Sequence, residues 1–282
     1  MKKLLTLLLA LTMAVGLCAC GSDAEKPADD GDAAANDGKT VVLKVGATPT
    51  PHAEILAQVV DVLAEQGIDL QVTEYGDYNV PNTAVEEGEM DANFFQHTPY
   101  MEDFNEKKGT HLVSVAKIHY EPMGIYAGKT ASLEDLADGA VIAVPNDPTN
   151  EARALLLLEA QGLIELNKDA GLNATPNDIE SNPKNLQFKE MEAAMLPQII
   201  EEVDLSVINS NYALQGNLNP AEDALASESA DSEAAQTYAN IIAVKEGNEN
   251  NEAILALVKA LQSDAVRDFI NETYSGSVVP MF

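Results

Sequence analysis

The sequence predicts a two-lobed α/β protein, and three observations lead to this fold class. Hydrophobic residues make up 46% of the 282 residues, which allows one large core or two ordinary ones. From Thr40 onward, strand-like and helix-like patterns alternate along the chain. The strand–loop–helix pattern begins again at Val141. Regular alternation gives mostly parallel sheets covered by helices, and two such sets of elements imply two lobes.

The N-terminus has the pattern of a secretory signal. Lys2 and Lys3 precede the apolar run LLTLLLAL, which is too short to span a bilayer core of ~30 Å. The ending Leu17-Cys-Ala-Cys20 resembles the bacterial lipobox, in which cleavage before the cysteine leaves a thiol that carries lipid. We therefore expect residues 1–19 to be a signal peptide and Cys20 to be the lipid anchor. An ordinary signal peptide with incidental cysteines is the alternative.

Residues 20–39 are predicted to be the lipidated cysteine and an acidic, disordered tether. Residues 21–39 contain six acids and two lysines but no aromatic residue, so they cannot bury enough apolar surface to fold. Cleavage leaves a single cysteine, which excludes an intramolecular disulfide and a cysteine-based metal site.

The first lobe is predicted to comprise residues 40–126 and 241–282, and the second lobe residues 127–240. In the first range we expect strands in 40–47, 69–75, 93–95, 113–118 and 123–127, with helices over 53–66 and from about 81. In the second range we expect strands at 141–144, 186–190 and 205–209, with helices at 132–136, 151–161 and 191–201. The chain is expected to end with a strand at 241–244 and one long amphipathic helix over 252–269.

Composition excludes several classes of protein. The formal net charge of −30 repels phosphate backbones, so we expect no nucleic-acid partner. The sequence lacks the common nucleophile, phosphate-loop and dinucleotide motifs, so we expect neither an enzyme nor a cofactor. The four histidines are His52, His97, His111 and His119, and no two of them form a His-x₃-His pair. Zinc binding is therefore poorly supported, and we expect no metal site.

Arg153 is the first candidate for ligand binding. It lies in the first turns of a helix that follows an apolar strand and a loop rich in Pro, Asn and Asp. Helix N-termini and guanidinium groups both favour carboxylates, and we expect Asn150 to cap the helix so that Arg153 reaches a ligand across the loop. The alternatives are a surface ion pair for Arg153 and turn or cap chemistry for the asparagines.

Three further clusters combine amides with rings. Residues 91–100 contain Phe94, Phe95 and His97 before a proline, a composition typical of small-molecule pockets, although these side chains could also be structural. Residues 119–123 contain a histidine and an acid. Asparagines flank the strands at 209–211 and at 240, where they could bind an amino acid or only form turns.

These clusters, in this order, resemble the methionine-binding lipoprotein family (MetQ/NlpA), the substrate-binding components of methionine ABC importers. The resemblance covers nearly all of residues 41–282 and rests on DANFFQHTPY (91–100), EPMGIYA (121–127), VPNDPTNEARALLLLE (144–159), EMEAAMLP (190–197), VINSNYAL (207–214), GNLNP (216–220) and YANIIAV (238–244).

The resemblance implies a type II-like periplasmic-binding-protein fold that closes over L-methionine. It implies partners in an ABC permease and ATPase complex, and a location on the extracytoplasmic face of the cell membrane through Cys20. It also implies roles for individual residues: Arg153 holds the ligand carboxylate with Asn150 nearby, Asn211 and Asn240 hold the amino-acid backbone with Asn209 as a neighbour, and the thioether is walled by Tyr78, Phe95, His97 and Tyr120. We expect a monomer.

Other functions remain open at this point. The ligand could be D-methionine, a methionine-containing dipeptide or another small apolar amino acid. A lipid-anchored surface adhesin would suit the acidic surface and would bind no small molecule tightly. An acidic hydrolase would need paired carboxylates in the cleft, where these motifs instead supply amides and rings.

Overall fold

Two separate β-sheets with helices around them form the two lobes, which confirms the predicted α/β class. The computed structural model describes residues 40–230 and 233–282. The predicted signal peptide, Cys20 and the tether lie outside the described residues. Within the part of the chain that is described, no helix is both long enough and apolar enough to cross a membrane.

The strands are numbered in chain order. They are β1 Val41–Ala47, β2 Ile68–Glu74, β3 Ala92–His97, β4 Leu112–Tyr120, β5 Gly124–Ala127, β6 Val141–Pro145, β7 Glu165–Leu166, β8 Ile179–Ser181, β9 Gln187–Met191, β10 Leu205–Ile208, β11 Ala224–Ser227, β12 Asn240–Lys245 and β13 Val279–Pro280.

The α-helices are numbered in the same way. They are α1 Glu54–Ala57, α2 Val60–Ala64, α3 Val80–Glu86, α4 Thr98–Lys108, α5 Pro148–Ala160, α6 Ser210–Gln215, α7 Glu233–Thr237, α8 Glu252–Leu261 and α9 Asp264–Tyr274. A 3₁₀ helix at Ala193–Glu202 replaces the α-helix expected near 191–201.

Both sheets are mixed, where mostly parallel sheets were expected. The first sheet has the strand order β13-β4-β12-β3-β1-β2, and the second has the order β11-β5-β10-β6-β9. In the first, β1 pairs in parallel with β2 and β3, while β12 runs antiparallel to β3 and β4. The returning strand β12 enters the first sheet from the second lobe, so its direction does not follow from the local β/α alternation.

The chain passes between the lobes twice. The first crossing is the short segment between β4 and β5, and the second lies between β11 and β12. Because β5 pairs with β10, the sheets place Gly124–Ala127 in the second lobe. Asn240 begins β12 in the first. The predicted lobe boundaries, at 126/127 and 240/241, lie within a few residues of the points where the chain passes from one sheet to the other. These boundaries remain a prediction.

Each lobe has its own apolar core. Strand β1 lies between β3 and β2, and its residues Leu43, Val45 and Ala47 are buried against α1, α2, α8 and α9. In α8 the buried residues recur at helical spacing, which directs one face of that helix onto the sheet. These buried residues are Ala253, Ile254, Leu257, Ala260 and Leu261. The second core packs α5 against β6 and β10.

Two local predictions were wrong. The helix expected over 252–269 is two helices, because Ser263 ends the first and caps the second by accepting a hydrogen bond from the Val266 amide. The helix expected from Ser132 is only a turn. There the Ser132 hydroxyl accepts a hydrogen bond from the Asp135 amide, and the chain turns on through Gly139, which has a positive φ of 76°.

Candidate functional site

A small cavity lies between the lobes, at the carboxyl ends of β3, β6 and β10. This is where open α/β sheets place their ligands. Both lobes and the first crossing contribute to its lining, which consists of Tyr78, Phe95, Gln96, His97, Tyr100, Glu121, Asn150, Arg153, Asn209, Ser210, Asn211 and Asn240.

The start of α5 brings Asn150 and Arg153 to this cavity. Asp147 is the N-cap of α5: its carboxylate accepts hydrogen bonds from the backbone and side-chain nitrogens of Asn150, at 3.0 and 2.8 Å. Pro148 occupies the first turn, where its missing N–H costs nothing. The expectation that Asn150 caps the helix was therefore wrong. Since Asp147 takes that role, the Asn150 side chain is free to face the cavity.

Arg153 is buried and ion-paired. Its Nε and Nη2 donate to the two carboxylate oxygens of Glu228 at 2.8 and 2.6 Å, and Nη2 also donates to the Glu121 carbonyl at 2.7 Å. The guanidinium lies 4.4 Å from the centre of the Tyr238 ring. Burial alone would lower the pKa of Arg153, but the charge and hydrogen bonds of Glu228 outweigh it and raise that pKa. The arginine therefore carries a permanent charge beside the cavity.

Aromatic rings form one wall of the cavity. The Tyr78 ring lies 5.6 Å from Phe95, 5.7 Å from Tyr100 and 4.8 Å from Tyr212, measured between ring centroids. The Tyr78 hydroxyl donates to Asn211 Oδ1 at 2.5 Å, which joins the first lobe to the second. Such a wall offers an apolar side chain a water-free surface while the cleft is closed.

Amide groups occupy the opposite side, and two of their atoms lack partners. Asn209 donates to Asn150 Oδ1 at 2.8 Å, and that same oxygen lies 3.3 Å from His97 Nε2. Among the described residues, Asn209 Oδ1 and Asn211 Nδ2 are buried with no hydrogen-bond partner. A buried amide atom left unpaired is costly, so one free acceptor and one free donor indicate a polar ligand.

Glu121 lies at the floor of the cavity with two histidines behind it. His119 Nε2 and His52 Nε2 approach Glu121 Oε1 at 2.7 and 3.3 Å, and His52 Nε2 also lies 3.0 Å from Asn240 Oδ1. Burial lowers the pKa of His52 to about 4 and that of His119 to about 3, and it raises the pKa of Glu121. At neutral pH both imidazoles are therefore uncharged.

These three residues could also serve as metal ligands, since their donor atoms lie within 4.8 Å of one another. The spacing of histidines along the sequence gave no sign of this, because β1 and β4 bring residues from distant positions together. His52 Nδ1 also lies 2.6 Å from Thr48 Oγ1, whereas His119 Nδ1 is buried without a hydrogen-bond partner among the described residues.

The structure brings seven of the eight predicted binding residues together around the cavity. These are Tyr78, Phe95, His97, Asn150, Arg153, Asn211 and Asn240. Tyr120 does not line the cavity, so its predicted place in the wall was wrong. It is fully buried behind Arg153, and its hydroxyl donates to Glu228 at 2.6 Å. The last residue of a strand points to one face or the other, and here it points away from the cavity.

Sequence reasoning missed several lining residues. Gln96, Tyr100 and Glu121 lie within motifs that were recognised, so only their orientation was unknown. Gln96 joins a buried amide network with Asn82 and Asn93, at 2.6 to 2.9 Å. Glu228 carried no signal at all, because it is one of 46 acidic residues and its partner is 75 positions away.

Two lobes joined by two crossings, with a buried polar and aromatic cavity between them, are the architecture of a substrate-binding protein. The chain matches the family described as NlpA lipoprotein over residues 43–282, and it belongs to that family. The methionine-binding lipoprotein MetQ of Bacillus subtilis is 41% identical over 285 residues, which cover 100% of this chain and 99% of that protein.

Two solved structures extend the comparison. A lipoprotein from Ruminococcus gnavus is 56% identical with a TM-score of 0.85, and the match covers 86% of this chain and 99% of that one. A nutrient-binding protein from Burkholderia cenocepacia, solved bound to methionine, is 45% identical with a TM-score of 0.81. That match covers 85% of this chain and all of the other.

Proposed function

We propose that this protein captures L-methionine in the cavity between its lobes and delivers it to an ABC permease and ATPase complex. The observation that carries the proposal is the set of polar groups in the cavity. It combines a permanent cation at Arg153 with the unpaired donor Asn211 Nδ2 and the unpaired acceptor Asn209 Oδ1. A zwitterionic amino acid supplies the complementary acceptors and donors.

Arg153 would hold the ligand carboxylate. Its hydrogen bonds to described residues leave from Nε and Nη2, so Nη1 is the nitrogen that can be turned toward a ligand. Asn211 and Asn150 lie on the same side of the cavity and would complete the hydrogen bonding. A charge-assisted contact of this kind is roughly twice as strong as a neutral one.

The ligand ammonium would face acceptors. Glu121 and Asn209 Oδ1 are two acceptors that line the cavity without belonging to the Arg153 ion pair. Asn240 also lines the cavity, and its Oδ1 and Glu121 Oε1 both lie near His52 Nε2, at 3.0 and 3.3 Å. Pairing both charged ends is essential, because a buried unpaired charge costs several kcal/mol.

The thioether side chain would lie against Tyr78, Phe95 and His97. Removing a methionine side chain from water contributes about 1.5 to 3 kcal/mol, and sulfur makes favourable contacts with aromatic rings. Burial and, to a smaller extent, the charge of Arg153 lower the pKa of His97 to about 3. The imidazole is thus uncharged and suits an apolar neighbour.

Attachment to the membrane would come from Cys20. Two or more acyl chains on this residue would hold the protein firmly, whereas a single chain would not. The acidic residues 21–39 would then keep the lobes away from the membrane surface. We place the protein on the extracytoplasmic face as a monomer that binds its ligand without converting it.

Calorimetric titration of ligand-stripped protein, without residues 1–20, tests this proposal. L-Methionine should bind at one site per chain, and L-leucine, which lacks the sulfur, should bind more weakly. D-Methionine and a methionine-containing dipeptide test the two alternative ligands directly. Binding of none of the methionine compounds would contradict the proposal and favour an adhesin instead.

A further inference from the structure

Glu228 is the most heavily hydrogen-bonded carboxylate beside the cavity. Oε1 accepts from Arg153 Nε at 2.8 Å. Oε2 accepts from Arg153 Nη2 at 2.6 Å, from the Tyr120 hydroxyl at 2.6 Å and from the Met123 amide at 2.8 Å. The Glu228 side chain is 9% exposed and that of Arg153 is 4% exposed.

The four donors come from three parts of the fold. Arg153 lies on α5 of the second lobe, Tyr120 ends β4 of the first lobe, and Met123 lies in the crossing between the lobes. Arg153 Nη2 also donates to the Glu121 carbonyl in that same crossing. The guanidinium is therefore held against the crossing by Glu228 and by the backbone together.

We propose that Glu228 is a positioning residue, which fixes the guanidinium of Arg153 in the orientation that receives the ligand carboxylate. This inference rests on the proposed function. Glu228 does not line the cavity, so it acts on the ligand only through Arg153. A bidentate pair sets the plane of the guanidinium, and a shift of about 1 Å in such a group costs much of its effect.

The alternative partner for Arg153 is close at hand. The charge of Arg153 acts on the Glu121 carboxyl, opposing the rise in pKa that burial causes there. Without the Glu228 charge, the buried guanidinium would turn toward the Glu121 carboxylate, since a buried cation requires an anion. That movement would turn the guanidinium away from the ligand carboxylate, while His52 and His119 hold the Glu121 side chain in place to face the ligand ammonium.

The test compares two ligands across matched variants. Glu228→Gln keeps the shape of the side chain but removes its charge, while Glu202→Gln removes the charge of an exposed glutamate in the same lobe. L-Methioninol retains the ammonium and the thioether of methionine but has no carboxylate. Calorimetry on the three proteins, with methioninol titrated to millimolar concentration, gives the affinities.

We expect Glu228→Gln to weaken methionine binding about tenfold or more and to change methioninol binding by less than about twofold. Glu202→Gln should match the wild type for both ligands. Equal weakening for the two ligands, or methionine affinity unchanged in Glu228→Gln, would overturn the inference. Absence of methionine binding by the wild-type protein would instead overturn the proposed function.

A second variant protects the test against loss of folding. If circular dichroism shows that Glu228→Gln is unfolded, Tyr120→Phe removes one of the donors to Glu228 and keeps the ring. Tyr120→Phe should weaken methionine binding about threefold, as expected for the loss of one hydrogen bond, and should leave methioninol binding unchanged. Unchanged methionine affinity in Tyr120→Phe would then contradict the positioning role.

Discussion

Arg153 and Glu228, 75 residues apart in the sequence, form a bidentate ion pair with bonds of 2.8 and 2.6 Å. The arginine reaches the cavity from α5 in the second lobe, and its counter-ion follows β11. Since both side chains are almost fully buried, the pair holds Arg153 in place at the cavity wall. The predictions below begin from this arrangement.

Replacing Arg153 with alanine should abolish methionine binding. The variant loses the cation that pairs with the ligand carboxylate and leaves the Glu228 charge to repel that carboxylate, which together cost about 3 to 5 kcal/mol of binding free energy, or more than 100-fold in affinity. Calorimetry measures this loss. Arg267→Ala is the matched control, because Arg267 pairs with Asp264 on α9 and does not line the cavity. Near-normal affinity in Arg153→Ala would rule out this site.

Replacing Tyr78 with phenylalanine should weaken methionine binding by about 2- to 10-fold. The ring stays in the wall, but the hydrogen bond to Asn211 that joins the lobes is lost, at about 0.5 to 1.5 kcal/mol. Tyr274→Phe is the control, since its hydroxyl bonds Glu54 and neither residue lines the cavity. If the two variants bind methionine equally well, the hydrogen bond between the lobes makes no contribution to the closed state.

Replacing Ser263 with alanine should lower the free energy of unfolding by about 1 kcal/mol, because the first turn of α9 loses its cap. Ser263→Gly should lose only a few tenths, since glycine is tolerated at this position. Urea unfolding of both variants gives the comparison. A glycine variant less stable than the alanine variant would show that the hydroxyl does not act as a cap.

His119 should make the protein less stable in acid. Its pKa falls from 6.5 to about 3 because it is buried, so below pH 6.5 the unfolded chain takes up a proton that the folded chain does not. The contribution of His119 is complete above pH 6.5 and is lost as pH falls toward 3, by about 1.4 kcal/mol per pH unit.

In His119→Gln the side chain cannot take up this proton when the chain unfolds, but its amide can still donate a hydrogen bond to Glu121. Between pH 7 and pH 5 its free energy of unfolding should therefore fall less than that of the wild type, by about 2 kcal/mol in all, with the gap widening mainly below pH 6.5. Urea unfolding at each pH measures the gap. Parallel curves for the two proteins would mean that folding does not exclude the proton from His119.

The alternation of strands and helices was predictable because it depends on local hydrophobic periodicity. Strand β1 and helix α5 stand close to their expected positions for this reason. The break between α8 and α9 at Ser263 was not predictable, because the helical spacing of apolar residues continues through it. The antiparallel direction of β12 was also hidden, because it depends on a return from the other lobe.

The candidate site was predictable where its residues cluster in the sequence. His97 and Asn211 belong to short motifs that end strands, and such positions meet at the edge of a sheet. Glu228 and the pairing of His52 with His119 depend on contacts between distant segments, for which one sequence has no local signal. The orientation of the Tyr120 side chain depends on which face of the sheet the last residue of β4 points to, and the sequence alone does not determine this.

The central claim is that methionine lies between the lobes with its carboxylate on Arg153. A crystal structure of the protein grown with L-methionine tests it most directly. We expect density for methionine in this cavity, with a carboxylate oxygen within about 3 Å of an Arg153 nitrogen and the thioether against Tyr78 and Phe95. Methionine bound elsewhere, or bound here with its carboxylate turned away from Arg153, would contradict it.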